Sequence, residues 1–410
     1  MMHAPFDEAP ARLHAHYLAH LITKTGFLDF DSNKTIPTID LFKPQSGVMI
    51  GVLLGIDEKG DEVLLKAVSG QNRNLSHYVP HVISEEEYQR YLNEYDPLIK
   101  DPANTALEQS EYSSQALKHY YSLYRFPTLS GGSTTLTECF EGKPIPTGSG
   151  DCAAIKLLSY ALNHQITPTS MTEFFYGSGT RTHLGFYGPC EERCRPILKS
   201  MLGVDIVYRD RHILVVNKQP HLRSVPGTTE NDSIETRVRT LIPSAPLQCA
   251  THRLDMDTSG LMVIALSKEA LRGMQTLFRE YRVTRGYEAL LEGILKEKEA
   301  VITLPLRADI TNRPHQIVDR TNGKEAKTLV RRIRVEEHLG GHLTRVEFTP
   351  VTGRTHQLRI HSKEGLGLPI FGDRLYGSGM KSRLFLHAKS LVFPHPITKE
   401  ELHFTIGVPF

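Results

Sequence analysis

The chain contains no tryptophan, and only 5 of its 410 residues are cysteine. Without tryptophan, a hydrophobic core has to be filled by Leu, Ile, Val, Phe and Tyr. Five cysteines are too few for a disulfide framework, which excludes the small disulfide-rich secreted class. This cysteine usage favours a protein of the reducing cytoplasm.

Long hydrophobic segments and an excess of one charge are also lacking. The longest apolar run, residues 47–56, is too short to span a bilayer. Asp7 and Glu8 come early and no apolar stretch follows them, so no signal peptide is expected. The formal net charge is only +2. A nucleic-acid-binding protein with so small an excess must concentrate its positive charge on one face, but an ordinary near-neutral enzyme fits the composition equally well.

The length of the chain is typical of two or three domains. We place a boundary after residue 204, so that residues 1–204 form an accessory module and residues 205–410 a second domain. In the module we expect a peripheral arm over residues 1–45, a β-hairpin over 47–68 and helical structure over 84–125. A further helix is expected after Asp151, which would cap it. Ser170 and Glu173 have capping-box spacing and predict a second short helix there.

Residues 205–410 show strand patterns instead. The predicted strands cover residues 212–217, 260–266, 287–293, 329–335 and 344–351. One amphipathic helix is predicted over residues 268–280, with Ser267 as its N-cap. Many strands with few helices predict an α+β domain built on a mixed, largely antiparallel sheet.

Two polar motifs stand out in this second half. Residues 252–260 read His-Arg-Leu-Asp-Met-Asp-Thr-Ser-Gly and place the carboxylate of Asp255 in a turn just before a predicted strand. Residues 352–361 read Thr-Gly-Arg-Thr-His-Gln-Leu-Arg-Ile-His, with two arginines and two histidines at the start of a helix. A loop-mounted carboxylate and a cationic cluster indicate chemistry on a phosphate-bearing substrate.

With these motifs, residues 205–410 resemble the RluA-type RNA pseudouridine synthases. Residues 252–260 match the family's catalytic-aspartate motif, and residues 353–359 match another of its motifs. Shorter matches lie at residues 215–218, 323–326, 369–373 and 384–388. Arg285 is a departure, because the family usually has lysine there. The resemblance implies a central sheet crossed by a cleft, and an isomerase that uses no metal and no organic cofactor.

The resemblance also implies roles for three residues. Asp255 would be the catalytic carboxylate, acting either as a nucleophile at C1′ or as a base at C2′ of the target ribose. Tyr287 would stack on the target base, with its hydroxyl near C5. Arg359 would pair with Asp255, because a nearby cation keeps a partly buried carboxylate ionised.

Substrate contacts are expected from residues near these three. Arg253 is a candidate to fill the space left by a flipped-out uridine, with simple phosphate contact as an equal alternative. Leu358 and Ile360 are candidates for an apolar pocket floor, although core packing explains them equally well. The other candidate substrate-binding residues are His252, Thr258, Arg354, His356 and Gln357.

Two other functions remain open at this point. One is a catalytically inactive RNA-binding or ribosome-assembly factor with a synthase fold, against which the intact set of Asp255, Tyr287 and Arg359 argues. The other is a bifunctional protein with an N-terminal thiol-dependent activity. For the synthase interpretation we expect rRNA or tRNA as the partner, and a cytoplasmic monomer without membrane contact; no protein partner is inferred.

The cysteines of the N-terminal module have two interpretations. Cys139, Cys152, Cys190 and Cys194 could supply four thiolates to a zinc ion. The two-residue spacing usual between zinc-binding cysteines is absent, and inert buried cysteines are the simpler interpretation.

Overall fold

Two compact units make up the chain. The computed structural model describes residues 6–28, 36–70, 75, 77–228, 231–338, 341–379 and 383–410. The units are Met1–Arg211 and His212–Phe410, so the division lies at Arg211 rather than at the predicted residue 204. Within the described ranges, no helix combines the length and the apolarity that crossing a membrane requires.

The first unit combines helices with a small antiparallel sheet. Its helices are α1 (Ala9–Thr25), α2 (Glu85–Lys100), α3 (Ala106–Leu123), α4 (Leu136–Phe140), α5 (Ala153–Asn163) and α6 (Cys194–Leu202), with a 3-10 helix at Thr38–Phe42. Its strands are β1 (Val48–Ile56), β2 (Glu62–Val68), β3 (Arg125–Pro127), β4 (Ser133–Thr135), β5 (Thr167–Tyr176) and β6 (Ile206–Arg209). The three-stranded sheet has the order β2-β1-β5, with β1 antiparallel to both neighbours.

Helices cover both faces of this three-stranded sheet. Ile50 and Val52 of β1 share a hydrophobic cluster with buried residues of α1. On the opposite face, a Cβ atom at Gly51 would come within 2.8 Å of Leu157 and 3.1 Å of Ala153, both in α5. Glycine at this position therefore lets α5 pack closely on the sheet.

The observed elements of the first unit can be compared with the predicted ones. The β-hairpin is confirmed, since β1 pairs with β2 from Ile50↔Val68 to Ile56↔Glu62. The helical segment is confirmed as α2 and α3. The peripheral arm is wrong for residues 9–25, because α1 buries Ala15 and Ile22 in the hydrophobic cluster.

The two capping predictions near residues 151 and 170 are wrong. Cys152, not Asp151, is the N-cap of α5. Ser170 and Glu173 lie in strand β5, where Glu173 is in register with Gly51 of β1. The Ser170 hydroxyl accepts a hydrogen bond from Ala11 N (2.9 Å), so it serves the start of α1 instead of a helix of its own. Sheet pairing and burial outweigh a short local capping pattern in this segment.

The second unit is strand-rich. Its strands are β7 (Ile213–Lys218), β8 (Ser259–Ala265), β9 (Thr284–Glu292), β10 (Glu299–Thr303), β11 (Leu306–Ala308), β12 (Gln316–Val318), β13 (Lys327–His338), β14 (Gly341–Pro350), β15 (Leu386–Pro394) and β16 (Glu401–Thr405). Its helices are α7 (Ile234–Leu241), α8 (Lys268–Arg279) and α9 (Gln357–Ile360), the last continuing into a π-helical turn at His361–Gly365.

One mixed sheet organises this unit. Its strands follow the order β10-β13-β14-β9-β15-β8-β7, and β16 adds to β15. The pair β8 and β15 is parallel, while the others in this series are antiparallel. The predicted α+β class with a largely antiparallel sheet is confirmed. The helix predicted over residues 268–280 is also confirmed as α8, with the Ser267 hydroxyl accepting from Ala270 N.

The chain makes a very close approach just after the aspartate motif. Gly260 of β8 has φ +118°, and a Cβ atom there would lie 2.3 Å from the carbonyl oxygen of Ala388 in β15. Only glycine tolerates both conditions. Gly260, the last residue of the aspartate motif, therefore allows β8 to lie this close to β15.

Candidate active site

The loop that carries Asp255 is held rigidly by its backbone. The Ser224 hydroxyl donates to the Leu254 carbonyl (2.7 Å) and accepts from Leu254 N (2.9 Å). Thr258 N donates to the Asp255 carbonyl at 3.1 Å. These bonds fix the direction in which the Asp255 side chain leaves the loop.

A buried lysine holds the same loop from the interior. Lys218, at the end of β7, donates to the carbonyls of Gln219 (2.9 Å), Leu222 (2.7 Å) and Met256 (2.9 Å). Burial lowers the pKa of Lys218 to about 7, and the charge of nearby Asp255 works against that shift. Three carbonyl acceptors use all three protons of the ammonium group, whereas a neutral amine has only two. Lys218 is therefore a charged positioning residue behind the loop.

The two carboxylates of the loop have different surroundings. Asp257 is ion-paired, with Oδ1 lying 2.7 Å from Arg374 Nη2 and 3.2 Å from His221 Nδ1. The Asp255 carboxylate makes no hydrogen bond to any residue that the structure describes, and its side chain is 24% exposed. Asp255 is thus the carboxylate available to a substrate.

Arg359 stands behind Asp255 and is itself anchored. Its Nε and Nη2 donate to the two oxygens of Asp373 at 2.8 and 2.5 Å, and both side chains are buried. Its remaining nitrogen, Nη1, is 3.9 Å from Asp255 Oδ2. The expected pairing with Asp255 is therefore a charge contact at the edge of ion-pair range, while Asp373 takes the bidentate hydrogen bonds. Sequence reasoning assigned no role to Asp373.

His356 approaches Asp255 from the other side. Its backbone is left-handed (φ +52°) at the N-cap of α9, and Nε2 lies 4.0 Å from Asp255 Oδ1. Burial lowers the pKa of His356, which favours the neutral ring. Nδ1 is 2.7 Å from the Tyr376 hydroxyl, whose oxygen already accepts from Gln316 N (2.8 Å). If the Tyr376 proton points to Nδ1, the imidazole proton sits on Nε2 and faces Asp255.

Tyr287 occupies the centre of the sheet. It lies in β9, in register with Phe348 of β14 and Ala388 of β15, and is 8% exposed. Burial, and to a smaller extent the charge of Asp255, raises the pKa of Tyr287, so the phenol stays protonated. Its hydroxyl has no hydrogen-bond partner in the described part of the chain, which leaves it free for a ligand.

Two further predicted residues also have unused polar groups. The Thr258 hydroxyl is buried and finds no partner among the described residues. An unsatisfied buried hydroxyl is unfavourable, so a substrate oxygen or a water has a reason to bind beside it. Arg253 is exposed and makes no ion pair or hydrogen bond within the described ranges. Its guanidinium can reach a substrate without breaking a contact.

Other predicted substrate contacts have structural partners instead. His252 Nε2 accepts from Val263 N (3.0 Å), and burial lowers the pKa of this imidazole to about 3. The Gln357 amide oxygen accepts from Thr352 Oγ1 (2.7 Å) and Arg354 N (2.9 Å), and its nitrogen donates to the Lys327 carbonyl (3.0 Å). These two side chains shape the loops that present the site.

Arg354 and the apolar pair also serve the framework. Arg354 Nε donates to the Glu325 carbonyl (3.0 Å), away from Asp255. Ile360 packs in a core cluster with Leu306, Ala326 and Tyr376. Core packing therefore accounts for Ile360, and Leu358 is buried beside it in α9.

Arg285, the departure from the family pattern, connects two parts of the site. Its Nη2 donates to the Thr352 carbonyl (2.9 Å), and a Cβ atom at Gly353 would come within 2.9 Å of Nη1. The guanidinium thus links β9, two residues before Tyr287, to the loop that leads into α9.

The four cysteines that could supply thiolates to zinc do not all meet. Cys152, Cys190 and Cys194 form one group within 4.8 Å. Cys139 is buried elsewhere in the same unit, with its sulfur 3.8 Å from the Thr134 hydroxyl. Cys139 is therefore no part of this group.

The chain is similar to several known proteins. Residues 212–364 match the family model described as RNA pseudouridylate synthase. The chain is 44% identical over 213 residues to the dual-specificity RNA pseudouridine synthase RluA of Haemophilus ducreyi, covering 50% of this chain and 93% of that protein. It is 42% identical over 211 residues to RluA of Escherichia coli K12, covering 50% and 93%. The solved structure of human RNA Pseudouridylate Synthase Domain Containing 1 is 32% identical, with a TM-score of 0.45, over 50% of this chain and 84% of that one.

Proposed function

The chain belongs to the RluA-type RNA pseudouridine synthases, and on that premise we propose that Asp255 is the carboxylate that acts on the target ribose. The protein is an isomerase that converts uridine in RNA to pseudouridine. Neither an inactive RNA-binding factor nor a bifunctional thiol-dependent protein is favoured by these relatives. The observation that carries the residue assignment is the partly exposed Asp255 carboxylate, which accepts no hydrogen bond from the described residues and lies on a loop anchored by Lys218 and Ser224.

The reaction breaks the C1′–N1 bond, rotates the uracil and rejoins it to C1′ through C5, which loses a proton. Asp255 must be ionised to attack C1′ or to take the proton from C2′. Arg359 places Nη1 3.9 Å from Asp255 Oδ2, while Asp373 accepts the hydrogen bonds of its other two donor nitrogens. Tyr287 offers a ring face for the uracil and a free neutral hydroxyl for the proton transfer at C5.

The target nucleotide must leave its helix to reach Asp255. Arg253 is two residues away and exposed, with no contact of its own to lose. A planar guanidinium stacks on bases and bonds phosphate, so Arg253 can occupy the vacated space. The unpaired Thr258 hydroxyl provides a further polar contact beside the carboxylate.

We propose a structured stem-loop of tRNA or rRNA as the substrate. The relatives in Haemophilus ducreyi and Escherichia coli are named dual-specificity RNA pseudouridine synthases. We also propose a cytoplasmic protein, because its five cysteines form no disulfide with one another, and one that acts as a monomer.

Two experiments test the proposal. Pseudouridine mapping of total RNA from a deletion strain, compared with the parent strain, should show the loss of one or a few sites. Purified Asp255→Asn protein should convert that RNA at less than about 1% of the parent rate, a loss of at least about 2.7 kcal/mol of barrier stabilisation.

Asp257→Asn is the matched control, because it makes the same chemical change two residues away in an ion-paired position. We expect it to stay within about tenfold of the parent rate. Turnover by Asp255→Asn at or above that of Asp257→Asn would remove Asp255 from the reaction.

A further inference from the structure

Three cysteine sulfurs meet in the first unit, where no reacting group of the synthase lies. The sulfur atoms of Cys152, Cys190 and Cys194 all lie within 4.8 Å of one another. The sulfurs of Cys190 and Cys194 are 3.4 Å apart. Cys152 is the N-cap of α5 and Cys194 is the first residue of α6, so two helix starts converge on the group.

The spacing of the sulfurs fits a shared metal ion better than a disulfide. A disulfide requires sulfurs at about 2.05 Å, and three cysteines would leave one without a partner. Tetrahedral zinc with Zn–S bonds of about 2.3 Å places its sulfurs roughly 3.8 Å apart. The observed values of 3.4 Å and at most 4.8 Å bracket that distance.

Hydrogen bonds among the three cysteines raise the pKa of Cys152 and Cys194, so a metal ion has to displace their protons in order to bind them as thiolates. The starts of α5 and α6 present the positive ends of their helix dipoles. The Arg193 guanidinium interacts electrostatically with all three cysteines. Two helix dipoles and one arginine reduce the cost of gathering negative charge at this place.

We propose that Cys152, Cys190 and Cys194 bind one Zn²⁺ ion, whose fourth position is taken by water. Among the residues that the structure describes, no other histidine, cysteine or carboxylate joins the group. Three protein ligands leave zinc one open position, whereas purely structural zinc sites are closed by four. The site is separate from the synthase chemistry and does not depend on it.

A buried carboxylate lies close to the three cysteines. Glu173 of β5 is 5% exposed, and its Oε1 accepts from Ala154 N (3.0 Å), two residues after Cys152. It interacts electrostatically with Cys152 and Cys190. In zinc deaminases a glutamate that is not a ligand, two residues after the first ligand, serves the metal-bound water. Glu173 brings a carboxylate to the same place from the neighbouring strand.

Metal analysis of the full-length protein tests the proposal. We expect about one zinc per chain after growth without added chelator, and a cobalt-substituted protein with intense sulfur-to-cobalt absorption. X-ray absorption of the zinc protein should show three sulfurs at about 2.3 Å and one lighter atom at about 2.0 Å. A metal content below about a tenth of an equivalent, together with a Cys190–Cys194 disulfide in peptide mapping, would overturn the proposal.

Matched cysteine variants locate the ion. Cys190→Ser should lower the zinc content at least tenfold, whereas Cys139→Ser and Cys249→Ser, which remove buried cysteines outside the group, should keep it. Glu173→Gln should also keep the zinc. If this variant loses its zinc, Glu173 is a ligand and water does not hold the fourth position. Circular dichroism and synthase turnover monitor folding in each variant, and the zinc and cobalt data on the unaltered protein stand without them.

Discussion

The hydroxyl of Tyr287 decides whether this residue only stacks on the target base or also takes part in proton transfer. Tyr287→Phe keeps the ring in register between β14 and β15 and removes the free hydroxyl. We expect RNA affinity within about twofold of the parent and product formation reduced at least tenfold, which is about 1.4 kcal/mol of barrier. Single-turnover conversion with purified protein measures this.

Tyr281→Phe is the control for that experiment, because Tyr281 is 65% exposed on a turn after α8. It should convert RNA at the parent rate. A Tyr287→Phe protein that also keeps the parent rate would restrict Tyr287 to stacking.

Asp373 holds two of the three guanidinium nitrogens of Arg359 and so limits the contact of Arg359 with Asp255. Asp373→Asn removes one half of a fully buried ion pair and frees two guanidinium nitrogens to turn toward Asp255. We expect the free energy of unfolding to fall by about 3 kcal/mol, and kcat to fall more than KM rises, because a tightly paired Asp255 is a weaker nucleophile or base. Denaturant unfolding and steady-state kinetics measure the two effects.

A purely structural Asp373 would lower stability and leave kcat unchanged at a temperature where the variant is folded. The comparison variant is Asp319→Asn, which breaks a more exposed aspartate–arginine pair with Arg307. It should keep the parent kcat.

At the scale of elements, strand β8 is held by a hydrogen bond to His252, which can accept that bond only while its imidazole is neutral. His252 Nε2 accepts from Val263 N, and burial lowers the pKa of His252 to about 3 from its ordinary value near 6.5. Because the folded-state pKa is the lower one, this stabilisation is complete above about pH 6.5 and is lost as the pH falls toward 3. Between pH 7.5 and 5.0 the loss is on the order of 1–2 kcal/mol.

Amide hydrogen exchange measures this locally. After correction for intrinsic rates, protection of the β8 amides should fall roughly tenfold between pH 7.5 and 5.0. His252→Gln replaces the acceptor with one that does not titrate, so its β8 protection should change less. Equal pH dependence in the two proteins would assign the effect to another group, such as buried His387.

Much of the second unit could be predicted because its signals are local or carried by motifs. Helix α8 has its cap and its apolar face within one segment, and the strands around Tyr287 alternate or run apolar as strands do. In the first unit the Ser170–Glu173 pattern predicted a helix wrongly, because the pairing of this segment with β1 is a long-range contact that a local pattern does not show. Cys152 replaced Asp151 as the cap because the Asp151 carboxylate instead meets His81 and Tyr124.

The residues of the candidate site also differ in whether the sequence alone could identify them. Asp255, Tyr287 and Arg359 could be named from motifs. Lys218 and Asp373 could not be assigned roles, because their partners Met256 and Arg359 are reached only through the fold. The available signals were the short family matches that end at Lys218 and at Asp373, and neither match specified a role.

On the scale of the whole molecule, the two units carry opposite charge. Residues 1–211 contain 19 Lys and Arg against 25 Asp and Glu, and residues 212–410 contain 29 against 21. Phosphate contacts require cations, so this distribution weighs against an RNA-binding role for the first unit. The RluA relatives match this chain over about 210 residues, which cover 93% of their own length and 50% of this chain.

We therefore expect a fragment of residues 212–410 to fold, to keep kcat on the identified RNA and to bind it at least as tightly as the full chain. Affinity should fall as salt rises, with the same slope in both proteins, since counterions are released by the same cations. Filter binding between low and moderate salt measures this. A soluble fragment that stays inactive at saturating RNA would give the first unit a part in the reaction.

The position of β15 has a consequence for how the enzyme is made. β15 lies between β8, next to Asp255, and β9, which carries Tyr287, yet it is the second-last strand of the chain. During synthesis the aspartate side and the tyrosine side of the sheet exist as separate pieces until residues 386–394 leave the ribosome. Such long-range closure is slow and comes late. We therefore expect a growing chain to be inactive until β15 has emerged, and a message truncated between codons 360 and 386 to yield a protein that has Asp255, Tyr287 and Arg359 but no strand to join the two sides of the site.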